Sequence, residues 1–352
     1  MLLEFIIALG LLVLLHEAGH FLFGLLFKFK IEEFGIGYPP KLFKLFTKNG
    51  IDYTVNMIPF GGFVRFKGEN DPQEANGFYS QNKWKRLVVL SAGIIINLVI
   101  GITLFAIVYA NTGKTVSDQV LIQYVEPSTP AASAGILVDD LVLQVNDTPI
   151  DSMEALSTVV ADNLGQEVTM LIERDGEERS LLVTPRENPP EGQGPLGIVM
   201  TNPVEPLSIG ESITYALRMA KYQGEELIKL PSKLASGEVE SSEVRLLSPK
   251  GIYDIYSQVR VADATEEVDQ QTELLDILWF FGIISVSFGY TNLLPIPALD
   301  GGRIFFLLPE LLFGKRLPER FEGWANAIGF TILIIIMLFA FFQDFTNPVV
   351  LF

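Results

Sequence analysis

The sequence contains no cysteine, and its 352 residues include only two histidines. Without cysteine the chain cannot form a disulfide, a thiolate nucleophile or a thiolate metal ligand. Any imidazole chemistry must therefore use His16 and His20. Basic residues are also few, with 25 lysines and arginines against 42 acidic residues. The resulting net charge of −17 argues against nucleic acid as a partner.

Apolar residues make up 49% of the chain and are bunched in long blocks. This pattern excludes a wholly soluble protein, a disordered chain and a disulfide scaffold. A helix needs roughly 20 apolar residues to cross a hydrocarbon core. The blocks that are long enough are 5–27, 87–110, 277–294 and 324–342. The first lacks the basic start and the small-residue cleavage site of a signal peptide, so we interpret it as a retained span.

The distribution of charge predicts how the chain crosses the membrane. Segment 28–86 holds ten basic and six acidic residues, and segment 303–320 holds four basic residues. Segment 113–273 instead holds 11 basic and 28 acidic residues. Short basic loops stay in the cytoplasm. The first and third connections are therefore predicted to be cytoplasmic, and both termini and the acidic segment are predicted to be extracytoplasmic.

The connections between spans differ in pattern. Over 34–67, alternating apolar residues and glycines predict strands and hairpins. Non-helical backbone of this kind can lie at membrane depth only where it is buried in protein or lines a water-filled cavity. Segment 116–200 alternates short β-rich runs with one helix-like stretch, 152–163, and predicts a compact mixed domain. An apolar helical stripe over 208–230 fits a helix on the membrane surface or one packed against the small domain. The members of the stripe are Ile209, Ile213, Leu217, Ala220 and Leu227.

Both histidines belong to the sequence His16-Glu17-Ala18-Gly19-His20 inside the first block. In a helix, residues i and i+4 share a face, so both imidazoles can meet one metal ion. Glu17 can then serve as a base for a water at the metal. The alternative is a set of interior polar residues held by neighbouring helices. An ionisable trio inside a bilayer is costly unless it has a function, which favours the metal site.

A zinc site needs a third protein ligand, which in this chain must be a carboxylate. Asp300 lies in the segment NLLPIPALDGG, residues 292–302, where two prolines break the third block and free backbone groups. At 1.5 Å per residue His16 lies about 17 Å along its span, and Asp300 lies somewhat deeper from the same side. A shared metal in the cytoplasmic half of the membrane is therefore predicted. The alternative is that Asp300 merely caps a turn.

Three motifs carry a resemblance to a known family. They are HEAGH at 16–20, GGFVRFKGE at 61–69 and NLLPIPALDGG at 292–302. Together they resemble the site-2 protease family of intramembrane zinc metallopeptidases, and the architecture is similar to that of bacterial regulator-of-sigma-E proteases. The resemblance implies one Zn²⁺ per chain, bound by His16, His20 and Asp300. It also implies that Glu17 is the catalytic base.

The resemblance extends to substrate binding. Asn292 corresponds to a family asparagine that engages substrate near the metal. The segment 34–67 resembles membrane-associated β-hairpins that present an extended substrate strand. Within it the predicted substrate-binding residues are Gly61, Gly62 and Phe63.

The outer segment resembles a bacterial PDZ domain. The supporting sequences are AASAG at 131–135 and GPLGI at 194–198. PDZ domains bind an extended peptide as an added strand and often capture its terminal carboxylate with backbone amides. The resemblance implies that Leu196, Gly197 and Ile198 form this capture loop. The alternative is a steric filter that excludes large ectodomains and holds no defined peptide.

These observations predict a polytopic α-helical membrane protein with four transmembrane helices, membrane-associated β-hairpins and one extracytoplasmic α+β PDZ domain. The predicted segments are a first span with HExxH over 1–29, a cytoplasmic-side hairpin region over 30–86, a second span over 87–111, the PDZ domain over 112–203, an extracytoplasmic amphipathic helical linker over 204–275, a third span over 276–302, a cytoplasmic loop over 303–323, and a fourth span with a tail over 324–352. The resemblance implies a bacterial cell membrane location, with the lipid bilayer and a transmembrane protein or peptide substrate as partners.

The resemblance implies hydrolysis of peptide bonds within transmembrane segments, such as those of an anti-sigma factor or a signal-peptide remnant. Two alternatives stay open. One is a non-catalytic PDZ scaffold with a structural metal site, which would have no need of Glu17. The other is a membrane-anchored zinc peptidase that acts on soluble peptides, which the position of His16 well inside a span disfavours.

Overall fold

The structure is a computed structural model that describes residues 1–69, 71, 74–239, 245–265 and 270–350. Residues 240–244 and 266–269 of the predicted linker, and residues 351 and 352 of the predicted tail, lie outside the described residues. The chain forms two compact units, one of Met1–Val108 with Gly210–Phe352 and one of Tyr109–Ile209.

Both units contain helices and strands. The helices in chain order are α1 Leu2–Leu26, α2 Lys83–Thr112, α3 Pro130–Ala134, α4 Met153–Asp162, α5 Ile209–Ser236, α6 Pro249–Thr265, α7 Gln270–Leu293, α8 Asp300–Phe313 and α9 Glu319–Thr346. The strands are β1 Ile31–Lys48, β2 Ile51–Phe66, β3 Lys114–Thr115, β4 Val120–Val125, β5 Leu141–Val145, β6 Thr148–Pro149, β7 Val168–Arg174, β8 Glu177–Val183, β9 Ile198–Thr201 and β10 Val204–Glu205.

Within the described part of the chain, four helices, α1, α2, α7 and α9, are long and apolar enough to cross a membrane. Their outward faces carry large apolar side chains. On α9, for example, Phe330, Ile335 and Leu338 are each 60% exposed. Apolar surface on this scale is unfavourable in water and suits contact with lipid.

The predicted third span over 276–302 is not one continuous helix. Helix α7 ends at Leu293, and α8 begins at Asp300. Pro295 and Pro297 lie between them, and each lacks the N–H that a continuing helix would use. The apolar block predicted over 277–294 therefore ends close to the end of α7, the predicted segment 276–302 also takes in the proline break, and Asp300 stands at the start of a separate helix.

The predicted cytoplasmic loop over 303–323 was wrong in its conformation, because α8 continues to Phe313. The helix ends where Gly314 adopts a left-handed backbone conformation, with φ of 68°. Phe306 and Leu307 on α8 are buried. Burial of these side chains against the rest of the unit stabilises a helix that is too short to be recognised as a span.

The predicted hairpins are a single long hairpin of β1 and β2. Both strands fold back on themselves, so that residues 33–36 lie between residues 62–65 on one side and residues 52–55 on the other. The sheet packs on α1, α2 and α8 through one apolar cluster. Its buried members include Phe29, Ile31, Val64, Phe66, Val89 and Leu307. The hairpin is therefore fixed against the helix that carries HExxH.

Helix α5 packs mainly through small side chains, and Ala220 is the buried member of the predicted apolar stripe. Its buried residues are Ser212, Ala216, Ala220 and Gly224. The exposed members of the predicted stripe are Ile209, Ile213 and Leu217. A Cβ added at Gly224 would lie 2.4 Å from the Tyr290 ring of α7, so the two helices approach closely at this glycine.

Helix α6 is held inside the helical unit at both its start and its middle. The Asp344 carboxylate near the end of α9 is fully buried and accepts hydrogen bonds from the Arg245 guanidinium at 2.8 Å and from the Ser248 backbone N–H at 2.9 Å. Tyr256 of α6 is fully buried and packs on Phe5 of α1. A charged, hydrogen-bonded cluster and an aromatic core therefore tie this part of the predicted linker to the spans.

The smaller unit is an α+β domain with its own hydrophobic core. Its main sheet has the strand order β8-β7-β5-β4-β9, with β6 paired to β5, so β9 is an edge strand. Helix α4 begins after Ser152, whose hydroxyl accepts a hydrogen bond from the Ala155 N–H. The fully buried Asp140 carboxylate pairs with Arg174 through two hydrogen bonds of 2.6 and 2.7 Å.

Candidate metal centre

The structure brings His16, His20 and Asp300 together. The HExxH spacing places both imidazoles on one face of α1, and the break between α7 and α8 places the Asp300 carboxylate opposite them. His16 Nε2 lies 3.0 Å and His20 Nε2 lies 3.1 Å from Asp300 Oδ2, and the two Nε2 atoms are 3.2 Å apart. Both histidines are 7% exposed. Each of these three residues offers one possible metal-binding atom, and within the described residues these atoms all lie within 4.8 Å of one another.

This geometry fits a zinc ion. Tetrahedral ligands that lie 2.0–2.1 Å from zinc are roughly 3.3 Å from one another. The three separations in the structure, 3.0 to 3.2 Å, are close to that value. Two imidazoles and one carboxylate also form a ligand set that catalytic zinc sites use, with the fourth position left for water or substrate.

The other nitrogens of the two imidazoles face groups on α2. His20 Nδ1 is 2.8 Å from the carbonyl oxygen of Val89, to which it donates a hydrogen bond. This bond leaves Nε2 without a proton in the neutral ring, as a metal ligand requires. His16 Nδ1 is 3.2 Å from the side-chain amide of Asn97.

Gly93 of α2 lies directly behind the ligand atoms. A Cβ at this position would lie 2.4 Å from His20 Nε2 and 2.7 Å from His16 Nε2. Real Cβ atoms essentially never approach other atoms so closely. Glycine at this position therefore leaves the space in which the two imidazoles converge.

Gly93→Ala is expected to weaken zinc binding, because the new methyl group would push the two imidazoles out of the positions in which their Nε2 atoms converge. Overpacking of this kind costs typically about 1–3 kcal/mol. Gly323→Ala is the matched control, since its Cβ would meet nothing within 4 Å and should be tolerated. Zinc affinity and thermal unfolding of the purified full chain would be measured for both variants. Wild-type zinc affinity in Gly93→Ala would contradict this account of the glycine.

The hairpin passes beside Glu17, the residue between the two histidines. A Cβ at Gly62 would lie 3.0 Å from Glu17 Cγ, and a Cβ at Gly61 would lie 2.4 Å from Val13 Cγ1. The two glycines therefore let β2 approach the face of α1 that carries the glutamate. Phe63 follows them in β2 and pairs in register with Gly35.

The remaining predicted site residues do not belong to the group of His16, His20 and Asp300. Asn292 is half-buried in the last turn of α7, and its side chain makes no hydrogen bond to a ligand within the described part of the chain. In the smaller unit, Leu196 is 3% exposed and belongs to the core. Gly197 has φ of 76° and lies against Thr129, and Ile198 opens the edge strand β9. The capture loop and the role of Asn292 stay predictions.

A cavity of about 520 Å³ has a lining rich in charged side chains, which does not include the two histidines, Glu17 or Asp300. Arg303, which shares the first turn of α8 with Asp300, lines it and forms an ion pair with Glu69. Glu310, also in the lining, forms ion pairs with Arg86 at 2.5 Å and with Arg316 at 3.0 Å. Burial raises the pKa of Glu310, but the interactions with the two arginines outweigh burial and lower the pKa below its ordinary value.

Neither Gly93 nor Asn97 was assigned to the site from the sequence. Their spacing, i and i+4, places both on one face of α2, just as His16 and His20 share one face of α1. A glycine and an asparagine at this spacing inside an apolar span were the available signal. The charged cavity residues gave no such signal, because they come from three separate segments.

Comparison with known proteins identifies the family. The sequence profile of peptidase family M50 matches residues 4–336. The chain belongs to peptidase family M50. The prediction of a metalloprotease of the site-2 protease family is thereby confirmed. The matched residues of this M50 chain include HEAGH and the Asp300 segment.

The relatives of this M50 chain align along almost its whole length. Zinc metalloprotease RasP of Oceanobacillus iheyensis is 28% identical over 97% of this chain and 97% of that protein. Membrane metalloprotease ARASP, chloroplastic, of Arabidopsis thaliana is 28% identical over 97% of this chain and 78% of that protein. Among solved structures, the PDZ domain of an SdrC-like protein from Listeria monocytogenes covers 25% of this chain and 93% of its own, with 17% identity and a TM-score of 0.22.

Proposed function

We propose that this M50 chain is an intramembrane zinc endopeptidase that hydrolyses peptide bonds within transmembrane segments of other proteins. The observation that carries the proposal is the convergence of His16, His20 and Asp300 between helices that are apolar enough to span a membrane. Ionisable groups at such a depth are costly, and they persist where they form a functional site. The zinc ion would be held by the two Nε2 atoms and the Asp300 carboxylate.

Glu17 is the proposed catalytic base. Zinc, when bound, supplies positive charge that polarises the scissile carbonyl and makes a nearby water more acidic. The Glu17 carboxylate takes a proton from that water and passes it to the nitrogen of the leaving amine. Glu17 is suited to this role because it lies between the two ligands in the sequence and its side chain faces the hairpin at Gly62.

The hairpin is proposed to hold the substrate as an added strand. A peptide bond inside a helix is shielded, so the substrate must unwind locally before it is cut. Residues 62–65 pair with residues 33–36 on one side, and no second pairing partner occurs among the residues that the structure describes. An extended peptide that adds to this edge would gain main-chain hydrogen bonds. It would run beside Glu17, because Gly62 contacts that side chain.

The polar cavity is proposed as the route by which water reaches the site. Hydrolysis consumes water, and the surrounding helices are apolar. The charged lining, including Arg303 and Glu69, can hold water, and Arg303 is one helical turn from Asp300. Water held by this lining would then need to pass Arg303 to reach the Asp300 carboxylate.

We infer the orientation from the charge of the connections. The basic segments 28–86 and 303–320 favour the cytoplasm, and the acidic segment 113–273 favours the opposite side. The smaller unit and both termini would then be extracytoplasmic, and the site would lie in the cytoplasmic half of a bacterial cell membrane. The smaller unit is proposed to act as a PDZ domain that binds a substrate terminus or excludes substrates with large ectodomains.

The test compares two forms of one substrate segment. The segment is embedded as a single span in vesicles with the reconstituted full chain, and the same segment is offered as a soluble, unfolded peptide. Cleavage of the embedded span at a higher rate than the soluble peptide is expected. Faster cleavage of the soluble peptide would favour a membrane-anchored peptidase for soluble chains. Bound zinc with no cleavage of either form, across several segments, would favour a non-catalytic scaffold.

A further inference from the structure

Asn97 of α2 is a buried polar residue in contact with a proposed metal ligand. Its side chain is 1% exposed, and its Nδ2 lies 3.2 Å from His16 Nδ1. The other end of the same amide, Oδ1, is buried and finds no hydrogen-bond partner among the described residues. Ser285 of α7 holds the backbone here, because its hydroxyl donates to the Asn97 carbonyl at 2.8 Å. Asn97 is therefore fixed in place with one amide atom unused.

The metal site sets a requirement on this contact. A neutral imidazole offers a lone pair only from the nitrogen that lacks a proton. His16 meets the other ligands through Nε2, so its proton must lie on Nδ1 when Nε2 binds a metal. An Nδ1–H buried at this depth needs an acceptor, because a buried donor without a hydrogen-bond partner is unfavourable. The amide N–H of Asn97 cannot be that acceptor, but Oδ1 can.

We propose that Asn97 is a positioning residue for zinc binding, whose Oδ1 accepts the Nδ1–H of His16. A half-turn of the amide about its terminal torsion brings Oδ1 to the place that Nδ2 occupies, with little movement of other atoms. His20 has the equivalent arrangement already, since its Nδ1 donates to the Val89 carbonyl. The Nδ1–H of each imidazole would then donate a hydrogen bond to an oxygen on α2, and each Nε2 would face the ion. The inference rests on the proposed zinc site of this chain.

Two replacements of Asn97 separate the acceptor from the donor. Asn97→Asp keeps an oxygen at the Oδ1 position and removes the amide N–H. Asn97→Leu removes both the oxygen acceptor and the N–H donor, and leucine has a side chain of similar size. Ser285→Ala is the matched control, because it loses a hydrogen bond to the Asn97 backbone without touching His16. The purified full chain would be titrated with zinc against a chelator for each variant. The absorption spectrum of the Co²⁺-loaded form and thermal unfolding without metal would be recorded in parallel.

We expect Asn97→Leu to weaken zinc binding about 10- to 100-fold, as the loss of a hydrogen bond to a metal-bound histidine commonly does. Asn97→Asp and Ser285→Ala should bind zinc with near wild-type affinity and give the wild-type Co²⁺ spectrum. A purely structural role would instead lower the unfolding temperature of the metal-free protein in Asn97→Leu without changing zinc affinity or the spectrum. If Asn97→Leu does not fold, Asn97→Asp decides the question alone.

Wild-type zinc affinity in Asn97→Leu, or a loss of affinity in Asn97→Asp, would overturn the inference. The second result would mean that an oxygen acceptor at this position is not enough to support zinc binding. Both of these results leave zinc binding by the wild-type chain intact, and so they leave the proposed function standing. Absence of zinc binding by the wild-type chain would overturn the proposed function as well.

Discussion

Glu17→Gln is expected to slow peptide hydrolysis by about 100- to 10,000-fold, the contribution of a positioned general base. Glutamine has nearly the same size as glutamate but cannot take a proton at neutral pH. It should still pack against Gly62 and leave His16 and His20 in place. The variant should therefore bind zinc as wild type does. The loss is expected in the turnover rate measured at saturating substrate, with zinc content determined on the same samples.

Glu4→Gln is the matched control for this change. Glu4 also lies on α1, but it is at the start of the helix and outside the metal group. Its replacement should leave hydrolysis near the wild-type rate. Turnover by zinc-loaded Glu17→Gln at the rate of the control would show that Glu17 is not the base.

Asp300→Ala is expected to lower zinc affinity more than about 100-fold, beyond the loss that follows removal of an outer hydrogen-bond partner. Asp300 Oδ2 lies 3.0 to 3.1 Å from both histidine nitrogens, so it is the carboxylate placed to complete the ligand set. Hydrolysis should fall with the bound zinc. Affinity would be measured by competition with a chelator, and thermal unfolding without metal would test whether the chain stays folded.

Asp254→Asn provides a comparison for Asp300→Ala, because it removes a carboxylate that is ion-paired with Lys250 on α6, away from the ligands. A pair of this kind, one helical turn apart, contributes little to stability. It should bind zinc as wild type does. If Asp300→Ala retained wild-type zinc affinity, the proposed third ligand would be incorrect.

The convergence of His16, His20 and Asp300 could be predicted from the sequence because each signal for it is local. Two histidines four residues apart share a helix face, and the absence of cysteine left only a carboxylate as third ligand. Asp300 followed from the prolines that break its span and from the alternation of the spans. The structure then places the three side chains in contact.

The surroundings of the site depend on contacts that are distant in sequence. Asn97 meets His16 across 81 positions, and the pairing of residues 33–36 with two separate parts of β2 leaves no repeating pattern in the sequence. Helix α8 was missed because it is only 14 residues long and contains Pro309, which argues against a helix when considered locally. Its buried apolar face outweighs that preference, as tertiary packing often does.

The position of the cut bond distinguishes cleavage within the membrane from cleavage outside it. A single-span reporter would be reconstituted in vesicles with the wild-type chain or with Glu17→Gln at matched zinc content, and the products would be sequenced by mass spectrometry. The account predicts a new terminus inside the membrane-spanning segment, made by the wild type and absent with the variant. A cut only in the soluble flanks, or the same intramembrane cut by both proteins, would contradict it.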